Sequence, residues 1–180
     1  KKLDLLIAPA PLADPANGAG FVVGALAFYN PNNAPQQWMS AVGVVYTTRG
    51  TKGAGGFHSG SFDQDRWRLN ARLSYLDART EYYGIGSEAG DRGESLELDS
   101  NQLTIQLEGL MRIFPKGYLG LRYRLFSERT EPDEEPTPTL PPPPGDQLHS
   151  TMSAIGPSFV YDTRDSATQP HRGVYVTAVW

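Results

Sequence analysis

Polar and apolar side chains alternate strictly, with a period of two, along several segments of this chain. Over residues 66–75 the polar row is Arg66, Arg68, Asn70, Arg72 and Ser74, and the apolar row is Trp67, Leu69, Ala71, Leu73 and Tyr75. Successive side chains of a β-strand point to opposite faces of its sheet. The segment is therefore predicted to be a strand with one polar and one apolar face.

Two further segments share this design. In residues 102–113 the polar row is Gln102, Thr104, Gln106, Glu108 and Arg112, interrupted only by Leu110, and the apolar row is Leu103, Ile105, Leu107, Gly109, Met111 and Ile113. In residues 119–125 the apolar row is Leu119, Leu121, Tyr123 and Leu125, and the row between them is Gly120, Arg122 and Arg124. Together the three segments predict an antiparallel, two-faced sheet.

Less regular strands are predicted over residues 20–29, 38–48, 54–62, 81–87, 152–162 and 173–180. The count is then eight strands up to residue 165 and a ninth begun at Gly173. Short turns are expected at 49–50, 77–80, 115–117 and 166–172, and longer loops at 30–37, 87–97 and 128–150, with 62–65 as a short connection on the long-loop side. Alternation of short and long connections is typical of outer-membrane barrels.

The apolar stretches, such as residues 20–29, are far shorter than the roughly 20 residues of a membrane-spanning helix, whereas a membrane strand needs only about 9–11. Trp and Tyr lie near the ends of several apolar faces, as in interfacial girdles. We therefore predict an all-β, antiparallel transmembrane barrel. The lipid-facing side chains would be Trp67, Leu69, Leu73, Leu103, Ile105, Leu107, Leu121 and Leu125. The lumen-facing side chains would be Arg66, Arg68, Arg72, Gln106, Glu108, Arg112, Arg122 and Arg124. The alternative is a soluble sheet with its polar face in water.

Composition narrows the function. The net charge is −4 and the basic residues are dispersed, so the sequence lacks the positive stripe of a nucleic-acid-binding protein. With 19 Gly, 15 Pro and no Cys, residues 1–180 are interpreted as one domain of short strands and many turns. The acidic and Pro-rich residues 128–149 are expected to form an external loop. The first residues do not resemble a secretion signal, and we interpret the chain as mature or excised from a longer one.

No catalytic, cofactor-binding or metal-binding residues are predicted. His58, His149 and His171 have no ligand spacing, and there is no G-x-S-x-G motif. Asp162 and Asp165 could form a carboxylate pair for catalysis or metal binding, but Arg164 between them and the lack of a nearby catalytic His favour a structural role.

One motif near the end of the sequence carries a family resemblance. Residues 156–165 read G-P-S-F-V-Y-D-T-R-D and are followed by Pro170-His171-Arg172-Gly173. This resembles the strand-turn-strand signature of the BamA/TamA family, the bacterial surface-antigen barrels. The run Y-Y-G-I-G at 82–86 and the opening at 8–11 and 18–20 are also similar to that family. The resemblance implies an outer-membrane barrel of sixteen strands in a Gram-negative bacterium, of which this chain would supply the first half.

Within the motif, we expect Asp162, Arg164 and Asp165, which follow the aromatic Tyr161, to form charge-assisted hydrogen bonds that hold a hairpin. Pro170 would fix φ, and Gly173 would let the chain re-enter the sheet.

Three functions remain open at this point. The resemblance implies a role in protein insertion, translocation or other envelope biogenesis. The alternation by itself also fits a passive pore with an arginine-lined lumen, or a soluble barrel that encloses a ligand with its apolar face. For a membrane barrel the partners would be outer-membrane lipid and either further copies of the chain or the missing remainder of the barrel, because unpaired sheet edges are not tolerated in hydrocarbon.

Overall fold

A computed structural model of the protein describes residues 3–14, 18–33, 37–83, 95–133, 148–166 and 170–180. Nine strands are found in these ranges, and they form one antiparallel sheet in which each strand pairs with its neighbours in the sequence. The strands are Asp4–Asp14 (β1), Gly18–Tyr29 (β2), Trp38–Thr47 (β3), Lys52–Phe62 (β4), Trp67–Tyr82 (β5), Leu96–Phe114 (β6), Gly117–Pro132 (β7), His149–Asp162 (β8) and Tyr175–Val179 (β9). The all-β, antiparallel prediction is confirmed. The described ranges hold no helix of the length and hydropathy needed to cross a bilayer.

The pairing register assembles the rows of the individual strands into two continuous faces. Gln106 of β6 lies opposite Arg72 of β5 and Arg124 of β7, and Ile105 lies opposite Leu73 and Leu125. Because directly opposed residues of an antiparallel pair project to the same side, the first row belongs to a polar face and the second to an apolar face.

The exposure of the two faces is the reverse of that in a soluble protein. On the apolar face Leu73 is 54% exposed and Ile155 is 70% exposed, whereas on the polar face Glu108 is 5% exposed and Ser158 is fully buried. A soluble sheet would bury its apolar face against a core. The soluble alternatives considered from the sequence are therefore disfavoured, since the uncovered apolar face needs an apolar surrounding.

The height of the apolar band fits a membrane. On β6 the apolar row runs from Leu103 to Ile113, which is about 34 Å of strand at about 3.4 Å per residue. A tilt of roughly 40° reduces this to about 26 Å, close to the ~25 Å band of outer-membrane barrels. A register shift next to Arg112 then turns Phe114 to the apolar face, where its ring lies 6.4 Å from Phe159 and 6.2 Å from Tyr161. Aromatic rings thus border the band at this end.

The predicted turn at 77–80 is wrong, because β5 continues to Tyr82. The charged residues that suggested a turn are paired across strands: Lys52 Nζ lies 3.1 Å from Asp77, and Arg79 Nε lies 3.1 Å from Asp99. These ion pairs stabilise β5 in the part where the row that is apolar in the rest of the strand carries charged side chains. Of the predicted strand at 81–87, residues 81 and 82 belong to β5 and residues 84–87 lie outside the described ranges.

Because residues 77–80 do not form a turn, the assignment of the connections to the two ends of the sheet also changes. The strand ends that flank positions 48–51, 83–95 and 133–148 lie at one end of the sheet, which we call the upper end. Those that flank positions 30–37, 63–66, 115–116 and 163–174 lie at the other, the lower end. The sequence groups 30–37 with 87–97 as longer loops, but the strand ends that flank these two segments lie at opposite ends of the sheet. Residues 128–132, assigned above to the external loop, are part of β7 and residue 149 begins β8, while 134–147 lie outside the described ranges.

Strand β1 was not predicted, because Pro9 and Pro11 argue against a strand interior. Proline is compatible with an edge strand whose missing N–H would point away from its partner. Among the described residues β1 pairs only with β2, through eleven consecutive residue pairs, and β9 pairs only with β8. The sheet is therefore open at β1 and at β9.

The orientation of the faces can be tested at two neighbouring positions of β6. Ile105 lies on the apolar face and Thr104 on the polar face, opposite Ser74. We expect Ile105→Lys to lower the free energy of unfolding in lipid vesicles by about 2–4 kcal/mol, since it places a charge at mid-membrane depth, and the matched control Thr104→Lys to cost much less. Equal losses for the two variants would contradict the assignment of the faces.

Candidate functional site

The polar face is organised around the buried carboxylate of Glu108 on β6. Its Oε1 accepts hydrogen bonds from Arg122 Nη2 at 2.7 Å, Arg122 Nε at 3.0 Å and Ser158 Oγ at 2.6 Å. Its Oε2 accepts one from Asn70 Nδ2 at 2.8 Å, and Asn70 Oδ1 in turn accepts one from Ser59 Oγ at 2.8 Å. A single network therefore joins five consecutive strands, β4 to β8.

Burial of a carboxylate is tolerated here because it is completely satisfied. A buried charge is costly unless an opposite charge and further hydrogen bonds replace its water. Arg122 supplies the charge, and neutral donors from β5 and β8 supply the remaining bonds. Such a network is strong when complete and costly when one member is missing, so it specifies the relative positions of the strands that contribute to it.

A second carboxylate, Asp65, holds the lower end of the same face. Its two oxygens accept hydrogen bonds from Arg68 Nε and Nη2, both at 2.8 Å, and Oδ2 also accepts one from Tyr118 Oη at 2.5 Å. The Arg68 guanidinium lies 3.8 Å from the Tyr118 ring centroid. Burial alone would raise the pKa of Asp65, but the hydrogen bonds from Arg68 and Tyr118 and the Arg68 charge hold that pKa below its usual value.

The backbone of this turn is unusual. Asp63, Gln64 and Asp65 have φ of 49°, 55° and 65°, a conformation that residues with a Cβ rarely adopt. Runs of this kind persist where surrounding contacts over-determine them. The bidentate pair of Asp65 with Arg68 provides such contacts and links the turn to β5.

The motif of the sequence forms a hairpin at the lower end, between β8 and β9. Asp162 accepts hydrogen bonds from Arg164 Nε at 2.9 Å and Arg164 Nη2 at 3.0 Å. The same guanidinium lies 4.3 Å from the Tyr175 ring centroid, as a cation–π contact. Tyr161 faces the other way and packs near Phe114. Arg164 thereby connects the end of β8 to the start of β9.

Asp165 closes the hairpin through the main chain. Its Oδ1 accepts hydrogen bonds from the backbone N–H groups of Ser166, His171 and Arg172, at 2.9, 3.0 and 3.3 Å. The backbone N–H groups of His171 and Arg172 are the main reason that the pKa of Asp165 lies below its usual value. Pro170 precedes this cluster, and Gly173 has φ of +106°, which a residue with a Cβ rarely adopts.

Six of the eight residues expected in the lumen lie on the wall of the polar face. These are Arg68, Arg72, Gln106, Glu108, Arg122 and Arg124. Arg112 lies near the lower rim, where Nη1 donates to the Gln64 carbonyl at 3.3 Å. Arg66 does not lie on the wall. It is the last residue of the turn 63–66, because β5 begins only at Trp67. Its side chain is 59% exposed, and Nη1 is 3.8 Å from Asp63.

The sequence pattern does not single out four members of the networks, Ser59, Asp65, Tyr118 and Ser158. For Tyr118 a signal was present, since extension of the alternating row of β7 by one position towards its beginning adds Tyr118 to the row of Arg122 and Arg124. Ser59, Asp65 and Ser158 give no such signal. Asp65 lies in a turn, and the two serines lie in strands of mixed composition, so only the fold brings them to Arg68, Asn70 and Glu108.

The described residues include one serine–histidine contact. Ser40 Oγ and His58 Nδ1 are 2.8 Å apart, and Ser40 Oγ is also 2.9 Å from Tyr29 Oη, on the apolar face near the lower end. A catalytic triad would have a carboxylate or amide oriented on the histidine. No carboxylate hydrogen-bonds to His58 within the described ranges. Nor do these ranges contain three or more His, Asp or Glu residues placed to hold a metal ion. The polar face is organised by ion pairs and the hydrogen bonds around them.

Comparison with known proteins identifies one family. The profile of the Omp85 superfamily domain matches residues 38–179, which is most of the chain and includes β3 to β9. No curated protein and no solved structure shows a significant match.

The hairpin can be tested by removal of Arg164. We expect Arg164→Ala to destabilise the folded protein by about 1–3 kcal/mol, because Asp162, with a side chain only 13% exposed, loses its charged partner. The matched control is Arg172→Ala, since the bond from Arg172 to Asp165 is made by the main chain and survives. The measurement is the urea midpoint of unfolding in detergent. A midpoint shift no larger than that of the control would show that Arg164 does not hold the hairpin.

Proposed function

Because the chain belongs to the Omp85 superfamily, whose members form machinery for the insertion or translocation of outer-membrane proteins, we propose that it serves in this process as a member of the BamA/TamA type. The observation that carries the proposal is the family match over residues 38–179. Support for the finer assignment comes from the motif at 161–173, in which Asp162, Arg164 and Asp165 are organised as one hairpin. We further propose that the chain is not an enzyme.

The two faces support a membrane setting for this function. An exposed apolar face about 26 Å high suits contact with outer-membrane lipid, and a polar face with paired charges suits a hydrated lumen. In this proposal Trp67, Leu69 and Leu121 contact lipid, and the network around Glu108 lines the interior. Salt bridges between β5, β6 and β7 would make this side of the lumen rigid where a client chain contacts it.

For orientation, we propose that the upper end lies outside the cell and the lower end faces the periplasm of a Gram-negative bacterium. The upper parts of β5, β6 and β7 continue past the apolar band with paired charges, such as Arg79 with Asp99. The lower end has the tight turns 63–66 and 115–116, and among the fully described connections only 48–51 lies at the upper end. Short periplasmic turns and extended external strands and loops are the usual asymmetry of outer-membrane barrels.

We also propose that further strands close the sheet, either from other parts of the protein or from a second copy. The free edges of β1 and β9 support this, because each unpaired backbone group in hydrocarbon costs several kcal/mol.

Insertion activity can be measured directly. The full-length protein is reconstituted in phospholipid vesicles, and the folding of an unfolded outer-membrane barrel protein into these vesicles is followed by its protection from protease. We expect folding to be faster than into vesicles that contain an unrelated folded outer-membrane porin, because the superfamily lowers the barrier to insertion. Equal rates for the two vesicle preparations would contradict the proposed function.

Closure can be measured by native mass spectrometry of the folded protein in detergent, combined with hydrogen exchange of its backbone amides. We expect β1 and β9 to be protected from exchange along both edges, in a particle that contains more strands than the nine seen here. A monomer in which these nine strands alone account for complete protection would show that no further strands are needed.

A further inference from the structure

Two arginines of the polar face share one level of the sheet. Arg72 on β5 and Arg124 on β7 lie on either side of Gln106 on β6, each directly opposite it. Adjacent strands are about 4.8 Å apart, so the Cα atoms of the two arginines are separated by about 10 Å. Their long side chains can converge above Gln106, and Arg124 Nη2 already lies 3.3 Å from Gln106 Oε1.

In the part of the chain that the structure describes, these two guanidiniums have no acidic partner, in contrast to two arginines near them. On the same face Arg68 is 2.8 Å from Asp65, and Arg122 is 2.7 Å from Glu108. Within the described ranges no carboxylate forms an ion pair with Arg72 or Arg124. Both side chains are exposed on that face, and an arginine does not lose its proton at physiological pH. Two positive charges therefore remain uncompensated at this level.

Neighbouring groups are not placed to compensate them. Glu108, one level below, already accepts four hydrogen bonds and is 5% exposed. The residues opposite the pair on the outer strands are Phe57 on β4 and Ala154 on β8, which carry no charge. An anion from the surrounding water would complete the row.

We propose that Arg72, Gln106 and Arg124 form a binding site for a small oxyanion, of the size of inorganic phosphate, that enters from the water of the lumen. Guanidinium groups match oxyanions because they present parallel N–H donors. Gln106 turns its Oε1 towards Arg124, which leaves its amide NH2 as a third donor. The site rests on the proposed orientation of the polar face towards a water-filled lumen, and it is independent of insertion activity.

The test is labelling of arginines in the full-length protein in detergent with phenylglyoxal, with and without inorganic phosphate, followed by mass spectrometry of the peptides. We expect Arg72 and Arg124 to be labelled in phosphate-free buffer and to be protected by phosphate. Arg129, on the apolar side with 65% of its side chain exposed, is the internal control and is labelled in both conditions. Arg68, 13% exposed and paired, is labelled poorly in both.

Calorimetry of phosphate binding provides the second measurement. The double variant Arg72→Gln/Arg124→Gln is expected to bind phosphate at least about tenfold more weakly than the unchanged protein, and Arg129→Gln to bind it equally well. Circular dichroism verifies that each variant is folded. Labelling that phosphate does not change would overturn the proposal. So would protection of both arginines before phosphate is added, because a carboxylate of the protein itself would then occupy the site. If phosphate binds as expected but the vesicle assay shows no insertion, only the proposed function fails.

Discussion

Backbone pairing determines the architecture of this sheet, and the side chains act within it. In hydrocarbon each N–H and C=O group needs a partner within the protein, and a sheet supplies partners only through its neighbouring strands. The strands follow one another in sequence order, and their registers are continuous apart from the shift next to Arg112, so each strand pairs with its neighbour in the sequence. Once the backbone is arranged in this way, the alternation of side chains decides which surface of the sheet is apolar and which is polar.

The polar face replaces the hydrophobic core of a soluble protein. Few apolar side chains are deeply buried in the described residues, and one of their clusters, Leu110, Tyr118 and Val160, lies beside the carboxylates of the polar face. In addition to the backbone pairing, side-chain links between strands β4 to β8 come from Glu108 and Asp65, each satisfied by an arginine and by neutral donors. Removal of a single donor would leave a charge in a partly dehydrated place, so these carboxylates contribute more to specificity than an exposed ion pair would.

The sequence predicts some parts of this structure better than others, for physical reasons. Strands β5, β6 and β7 were recognised because a two-residue period survives over the whole apolar band, and it also indicated the faces of Arg72 and Ile105. Strand β1 was missed because Pro9 conceals an edge strand, and the end of β5 was missed because the charges of Asp77 and Arg79 resemble a turn. In both cases the stabilising partners lie on other strands. The missed strand β1 and the additional strand expected at 81–87 cancel in the total of nine strands, but they change the end of the sheet to which each loop is assigned.

The network around Glu108 has a consequence for how the chain finds its pairing. A slip of one residue between two strands exchanges the faces and is rejected by the alternation itself. A slip of two residues keeps leucines with leucines and arginines with polar groups, so the alternation does not detect it. Such a slip would move Asn70, Arg122 or Ser158 by about 7 Å and take at least one donor away from the Glu108 carboxylate. The Glu108 network thus disfavours misfolded forms that the hydrophobic pattern alone would allow.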